Sequence, residues 1–356
     1  MEYAALDAAG KPILSVGGGR PLLTRNSKHV RDGVAAAFKA CAAHFGSGVA
    51  CWEEGAPAPG TFADRAPLDH SRWAAEGYRA WLRRKFVDLP TLNAAWDASV
   101  GSWDDVQAAE GVRRSTQADF HLFRYATASS WCEHLRKTAR EGRAGAGFAV
   151  GLASGAWEKS PRLLAFDLGR LARSCDVLVA EELRDPWFLH MMQTAAELWS
   201  GAWAIRTTGR ALPPKAKDDP PEDPVAWGKT VLALGGSLLV TGSLDDSATA
   251  AFAAEMAKVA RMHAPQPRNN RRAVYVSAAE IQFWDGTDYE EARGLWMAVT
   301  DSGKKGNVDV LSDGMFVGAP DVLKRYTAGI EMPFAKVLAK ETRLALVSAM
   351  KSGIHV

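Results

Sequence analysis

Tyr78-Arg79-Ala80-Trp81-Leu82-Arg83-Arg84-Lys85-Phe86 is followed after two residues by Leu89-Pro90-Thr91-Leu92-Asn93-Ala94-Ala95-Trp96. Tyr78, Leu82 and Phe86 recur at i, i+4 and i+8 with Trp81 between them, which makes one face of a helix apolar. Arg83-Arg84-Lys85 falls in the last turn, where cations suit the helix dipole. Pro90 suits the first turn of a second, shorter helix that places Leu92 and Trp96 one turn apart. Physics alone gives two helices joined by a tight turn.

The same residues resemble the segment that follows barrel strand four in family 42 glycoside hydrolases, the β-galactosidase family. The likeness continues on both sides. Leu6-Asp7 with Gly10-Lys11, and Arg25-Asn26-Ser27 with His29-Val30-Arg31, are similar to the family's polar loop before barrel helix three. Trp103-Asp104-Asp105-Val106 and the Asp119-Phe120 to Phe123 helix are similar to the segments that come next. The resemblance implies a partial (β/α)8 barrel of TIM type followed by the start of a flavodoxin-like trimerisation domain. It also implies a carbohydrate substrate, no cofactor, and a homotrimer. Met1 aligns inside the family's barrel and Val356 inside its second domain, so a fragment of a longer product is the expectation.

Composition narrows the class. With 47% hydrophobic and 24% charged residues, the 356-residue chain is an ordinary globular sequence of about two domains. A formal net charge of +2 carries no nucleic-acid footprint. No apolar run approaches the roughly 20 residues of a membrane span, and the N-terminus lacks a signal-peptide pattern. The four cysteines form no Cys-x-x-Cys pair, and the histidines have no ligand spacing, so neither a metal nor a disulfide framework is indicated. A cytoplasmic location is the milder preference. The Gly17-Gly18-Gly19 run lacks the Lys-Ser/Thr of a phosphate loop.

Apolar runs alternate with helical patterns along the rest of the chain, the signature of a parallel α/β sheet. Strands are expected at 49–52, 148–152, 175–182, 203–208 and 235–242, with helices over 30–45, 117–142, 163–172, 187–200 and 225–234. A linker at 265–272 divides residues 1–264 from residues 273–356. The second part has strands at 273–277, 308–311 and 329–333 and helices at 289–302 and 340–351.

Two strand ends carry paired carboxylates, Glu53-Glu54 and Glu181-Glu182. Residues just past strand C-termini build the active site of a barrel, and retaining glycoside hydrolysis needs two carboxyls about 5–5.5 Å apart. Adjacent residues point to opposite faces of a strand, so one of each pair reaches the pocket. Glu54 and Glu182 are the catalytic candidates, with Trp52, Glu53, Trp187 and Arg206 as substrate-binding residues. By resemblance Glu54 takes the acid/base position and Glu53 that of the preceding Asn. The strand expected to carry the family's nucleophile ends in Arg206-Thr207-Thr208 and offers no carboxylate. Three readings follow: a hydrolase, a relative that binds saccharide without cleaving it or serves a structural role, and another α/β protein. The plainest reading of each Glu pair is a solvated strand end or an ion pair with Arg184 or Arg206.

Overall fold

The structure is a computed structural model. It describes residues 2–7, 9–14, 20–55, 69–107, 114–152, 167–182, 185–210, 223–242, 245–262, 271–277, 294–295, 297–298, 308–317, 319–332, 338 and 340–356. The Gly17-Gly18-Gly19 run, most of the 265–272 linker, most of the 289–302 helix and Arg184 lie outside the described residues.

In chain order the first part runs α1 (Lys28–Phe45), β1 (Cys51–Glu54), α2 (Arg72–Phe86), α3 (Leu89–Trp96), α4 (Arg114–Gly142) and β2 (Gly147–Leu152). It continues with α5 (Leu168–Arg173), β3 (Val177–Glu181), α6 (Pro186–Ala195), β4 (Ala202–Thr207), α7 (Pro224–Ala233), β5 (Ser237–Val240) and α8 (Ser247–Met262). The second part has β6 (Arg272–Val276), β7 (Val308–Ser312), α9 (Asp313–Phe316), β8 (Ile330–Glu331) and α10 (Lys340–Lys351). The helix α8 has no counterpart among the sequence expectations. Within α1 Cys41 is exposed and Ala42 is buried.

The Tyr78–Trp96 stretch folds as its spacing predicts. Tyr78 and Leu82 of α2 and Leu92 and Trp96 of α3 are buried together with Phe120 and Phe123 of α4. Ser71 caps α2 and Asp88 caps α3, each side chain accepting an orphan backbone N–H. Between the helices Val87 has φ 66° and ψ −50°, and Asp88 N–H donates to Phe86 C=O at 2.7 Å. That is a γ-turn with a positive central φ, a strained conformation for a β-branched residue.

β1 to β5 form one sheet, all parallel, in the order of the sequence. Each connection between them carries at least one helix. An order that never reverses sets this sheet apart from a doubly wound one, which changes direction at a switch point. One face carries Phe148, Val150, Leu152, Leu178, Ala180, Trp203 and Ile205 into the main core against the helices. The other carries Ala149, Val179 and Ala204, with Val177 packed beside them.

β6 to β8 form a second parallel sheet in the order β7-β6-β8. It shares the main core with the first, since Val274, Tyr275, Val310 and Leu311 join Phe188, Met191 and Met192 of α6 in one buried cluster. After α6 a π-turn over Ala196–Ser200 re-aims the chain. From it Trp199 Nε1 donates to Met315 C=O at 2.8 Å, and Glu197 pairs with Arg271 at 2.6 Å. Helix α6 and the π-turn after it therefore lie between the two sheets, and the two parts meet there through apolar packing.

Candidate functional site

Three charged side chains meet at the C-terminal end of the first sheet, two of them through strand register. Glu181 and Arg206 are direct partners in the β3–β4 register, and Arg206 Nη1 donates to Glu181 Oε1 at 2.8 Å. Arg206 Nη2 donates to Glu53 Oε2, whose strand lies three positions away. Three inter-strand spacings span about 14 Å in a flat sheet, so curvature as well as two long side chains closes this gap. The face they share, floored by Ala149, Gly151, Val179 and Ala204, is the concave one.

One guanidinium thus serves two carboxylates, each through its own terminal nitrogen. Burial alone pushes the Arg206 pKa down, but the hydrogen bond from Arg206 to Glu181 and the charge of Glu53 outweigh it and hold the group above its ordinary value. Arg206, Glu53 and Glu181 remain partly exposed, with side-chain exposures of 28%, 27% and 41%. The cluster is reachable from solvent.

The structure does not bring Glu54 and Glu182 together. Glu54 follows Glu53 in β1, so it points to the opposite, helix-covered face. There Trp131 Nε1 of α4 donates to Glu54 Oε2 at 2.8 Å, and Arg25 pairs with Oε1 at 3.5 Å. Burial pushes the Arg25 guanidinium down, with the Glu54 charge opposing it. Glu182 turns out of β3 with φ 45°. Its carboxylate accepts from Thr208 N–H at 2.7 Å, Thr207 Oγ1 at 3.1 Å and Thr208 Oγ1 at 3.3 Å. Each of the two carboxylates is thus committed to a different part of the fold.

The tryptophan expectations are corrected by the same alternation. Trp52 sits on the helix side of β1, with its ring 5.2 Å from Phe38 and 6.3 Å from Phe45. Trp187 has no exposed surface and belongs to the main core, so it offers no face to a sugar. Glu53 and Arg206, expected as binding residues, do meet. Glu181 takes the place given to Glu182, and the expected ion pair with Arg206 forms. The strand end at β1 also lies two residues later than expected, which places both glutamates inside the strand.

A second polar cluster continues the rim. Arg210 pairs with Asp246 at 2.9 Å, and Thr249 Oγ1 donates to Asp246 at 2.7 Å and to Thr208 C=O at 3.1 Å. Among the described residues, no group of three His, Cys, Asp or Glu side chains is placed to hold a metal ion, and no helix is long and apolar enough to cross a membrane.

No protein-family model matches the chain, and neither does any curated protein sequence. Solved structures do match it. A β-galactosidase from the Antarctic haloarchaeon Halorubrum lacusprofundi superposes with a TM-score of 0.73 at 14% identity over 98% of this chain. A GH42 β-galactosidase from G. stearothermophilus gives 0.73 at 15% over 99%. A β-galactosidase from the psychrophilic Marinomonas ef1 gives 0.71 at 15% over 98%. The chain spans 58%, 57% and 61% of the lengths of these three proteins. From almost its first residue to its last, the chain shares the α/β fold of the matching part of these β-galactosidases.

Proposed function

We propose that this chain is a glycoside-hydrolase-like protein that binds β-galactosides or related glycans at the Glu53–Arg206–Glu181 cluster without cleaving them. The observation that carries the reading is the placement of Arg206. It lies on the concave face at the C-terminal strand ends, where barrel enzymes bind their substrates, and engages both available carboxylates at once. Glycoside hydrolysis needs one carboxyl in its protonated form to donate to the leaving group. Here both carboxylates accept hydrogen bonds from the one guanidinium, so neither is left outside that bridge to serve a leaving group. The same trio supplies what sugar recognition needs: charged acceptors and a planar donor fork aimed at neighbouring hydroxyls.

Winding order and the concave small-residue face support reading residues 1–264 as the later strands of a (β/α)8 barrel. The β7-β6-β8 order is that of the first three strands of a flavodoxin-like sheet, which supports reading 273–356 as the beginning of such a domain. Assembly through it gives a homotrimer, checked by light scattering on the eluting protein.

Hydrolysis is the second reading, favoured by one feature: the Glu53 and Glu181 oxygens on one guanidinium lie within about 8 Å of each other, near the spacing of glycosidase carboxyl pairs. The two readings separate in one experiment. Titration calorimetry with galactose and β-galactosides is run beside an assay of aryl β-galactoside cleavage. Binding without turnover is expected. Turnover abolished by Glu53→Gln or Glu181→Gln moves the protein to the second reading, and turnover abolished by Glu54→Gln or Glu182→Gln restores the pair named from sequence. Absence of any saccharide binding sinks the proposal.

A further inference from the structure

The cluster contains a residue that touches nothing charged through a side chain of its own. Gly151 lies on the concave face of β2, two residues beyond Ala149, the register partner of Glu53. Glu53 therefore leans along the sheet, and its carboxylate lies directly over Gly151 before meeting Arg206. A Cβ on Gly151 would fall inside van der Waals contact with Glu53 Oε1, would meet Glu53 Cδ at 3.3 Å and would stand 3.1 Å from Gly55 Cα. No helix or turn requirement explains glycine here, since Gly151 lies within a strand and its φ is not positive. Glycine within a strand commonly marks a close approach of another group, because it costs stability otherwise.

We propose that Gly151 is the positioning residue of the site. By leaving the floor of β2 open it lets Glu53 reach across to Arg206, and so fixes two carboxylates on one guanidinium. Glu182 serves the opposite strand, anchoring Thr207 and Thr208 next to Arg206 through its carboxylate. Gly151 has no such substitute. With any side chain there, Glu53 is displaced toward solvent and Arg206 keeps only Glu181. This rests on the saccharide-binding reading for its purpose, but the geometry is testable without a ligand.

The test uses the whole chain and two independent signals. The first is the Arg206 side-chain Nε–Hε resonance in a 15N spectrum, assigned by its disappearance in Arg206→Lys. Gly151→Ala is expected to move it to the position seen in Glu53→Ala, and the double variant is expected to move it no further. The second is affinity for the saccharide that the wild type binds, expected to fall about tenfold in Gly151→Ala, the loss of one charge-assisted hydrogen bond. An unmoved Arg206 resonance in Gly151→Ala overturns the inference. A moved resonance in a protein whose wild type binds no saccharide upholds the positioning role and removes the saccharide reading instead. Should Gly151→Ala not fold, Gly151→Ala with Glu53→Ala is expected to fold, since the clashing carboxylate is gone and only the 3.1 Å approach to Gly55 Cα remains to be relieved. Failure of both overturns the proposal as well.

Discussion

Arg206 and Glu181 are cross-strand partners in a parallel sheet and hydrogen-bond at 2.8 Å, while the same guanidinium reaches Glu53 on the far side of β2. One side chain from β4 therefore ties the site together across four adjacent strands. Its removal exposes two carboxylates to each other over a floor of alanine, valine and glycine, with no cation between them.

Arg206→Met keeps much of the side-chain stem and deletes the charge. Saccharide affinity is expected to fall at least tenfold, since the planar donor fork is gone. Stability is expected to drop by roughly 1–2 kcal/mol, a modest figure because both carboxylates keep partial access to water. Added salt recovers part of it by screening their repulsion. Unchanged binding in calorimetry rules Arg206 out of the site.

The turn at Val87 offers a different kind of test. This residue is 82% exposed and holds φ 66°, a region where a β-branched side chain is strained. Val87→Gly relieves the strain and leaves the caps at Ser71 and Asp88 in place. The gain is about 1 kcal/mol after the greater freedom of glycine in the unfolded chain is set against it. Val87→Ala keeps a Cβ and gains little. A lower urea midpoint for Val87→Gly contradicts the strain argument.

Asp119 fastens this helix pair to α4. Its carboxylate is buried and accepts from Lys85 Nζ at 2.5 Å and from Trp96 Nε1 at 2.8 Å. Lys85→Met leaves the charge buried with one donor, and a loss of about 2–3 kcal/mol is expected. Lys85→Met with Asp119→Leu recovers much of it, because an apolar pair replaces an orphaned charge. Equal stability of Lys85→Met and wild type in urea unfolding shows that the pair contributes nothing.

How much of this was legible in the sequence follows from periodicity. The spacing of Tyr78, Leu82, Leu92 and Trp96 fixes their burial, because an amphipathic helix writes its inner face into the sequence. The strands write no such signal. Val177-Leu178-Val179-Ala180 is apolar on both faces, as buried parallel strands are, so its parity is invisible and the choice between Glu181 and Glu182 is open. The left-handed turn at Glu182 adds a second departure from simple alternation. At β1 the run Val49-Ala50-Cys51-Trp52 is likewise apolar at every position, so it carries no parity to separate Glu53 from Glu54. Nothing local to β2 marks the role of Gly151, since what lies over it comes from β1, about a hundred residues earlier.

Where α5 meets the second sheet, burial sets up a dependence on pH. Asp167 caps α5 through Gly169 N–H and Arg170 N–H, and its carboxylate packs against Gly314 of α9. Burial pushes its pKa up; the charge of Arg170 opposes this, and that of buried Asp313 adds to it. Arg173 and Arg170 are the cations near it, and Asp313 is itself held by Tyr275 and Thr342 hydroxyls at 2.7 and 2.6 Å. A carboxyl raised in the folded state binds its proton more tightly there than in the unfolded chain. Its contribution to stability is therefore full below the unfolded value, about pH 4, and is lost as pH rises through the higher folded value. Asp167→Asn keeps the cap and cannot ionise. Relative to wild type, its thermal midpoint is expected to gain steadily as pH rises above 4, and to stop gaining once Asp167 is fully ionised. A difference that stays constant across that range assigns Asp167 the same proton affinity folded and unfolded, and removes burial as the controlling influence at this junction.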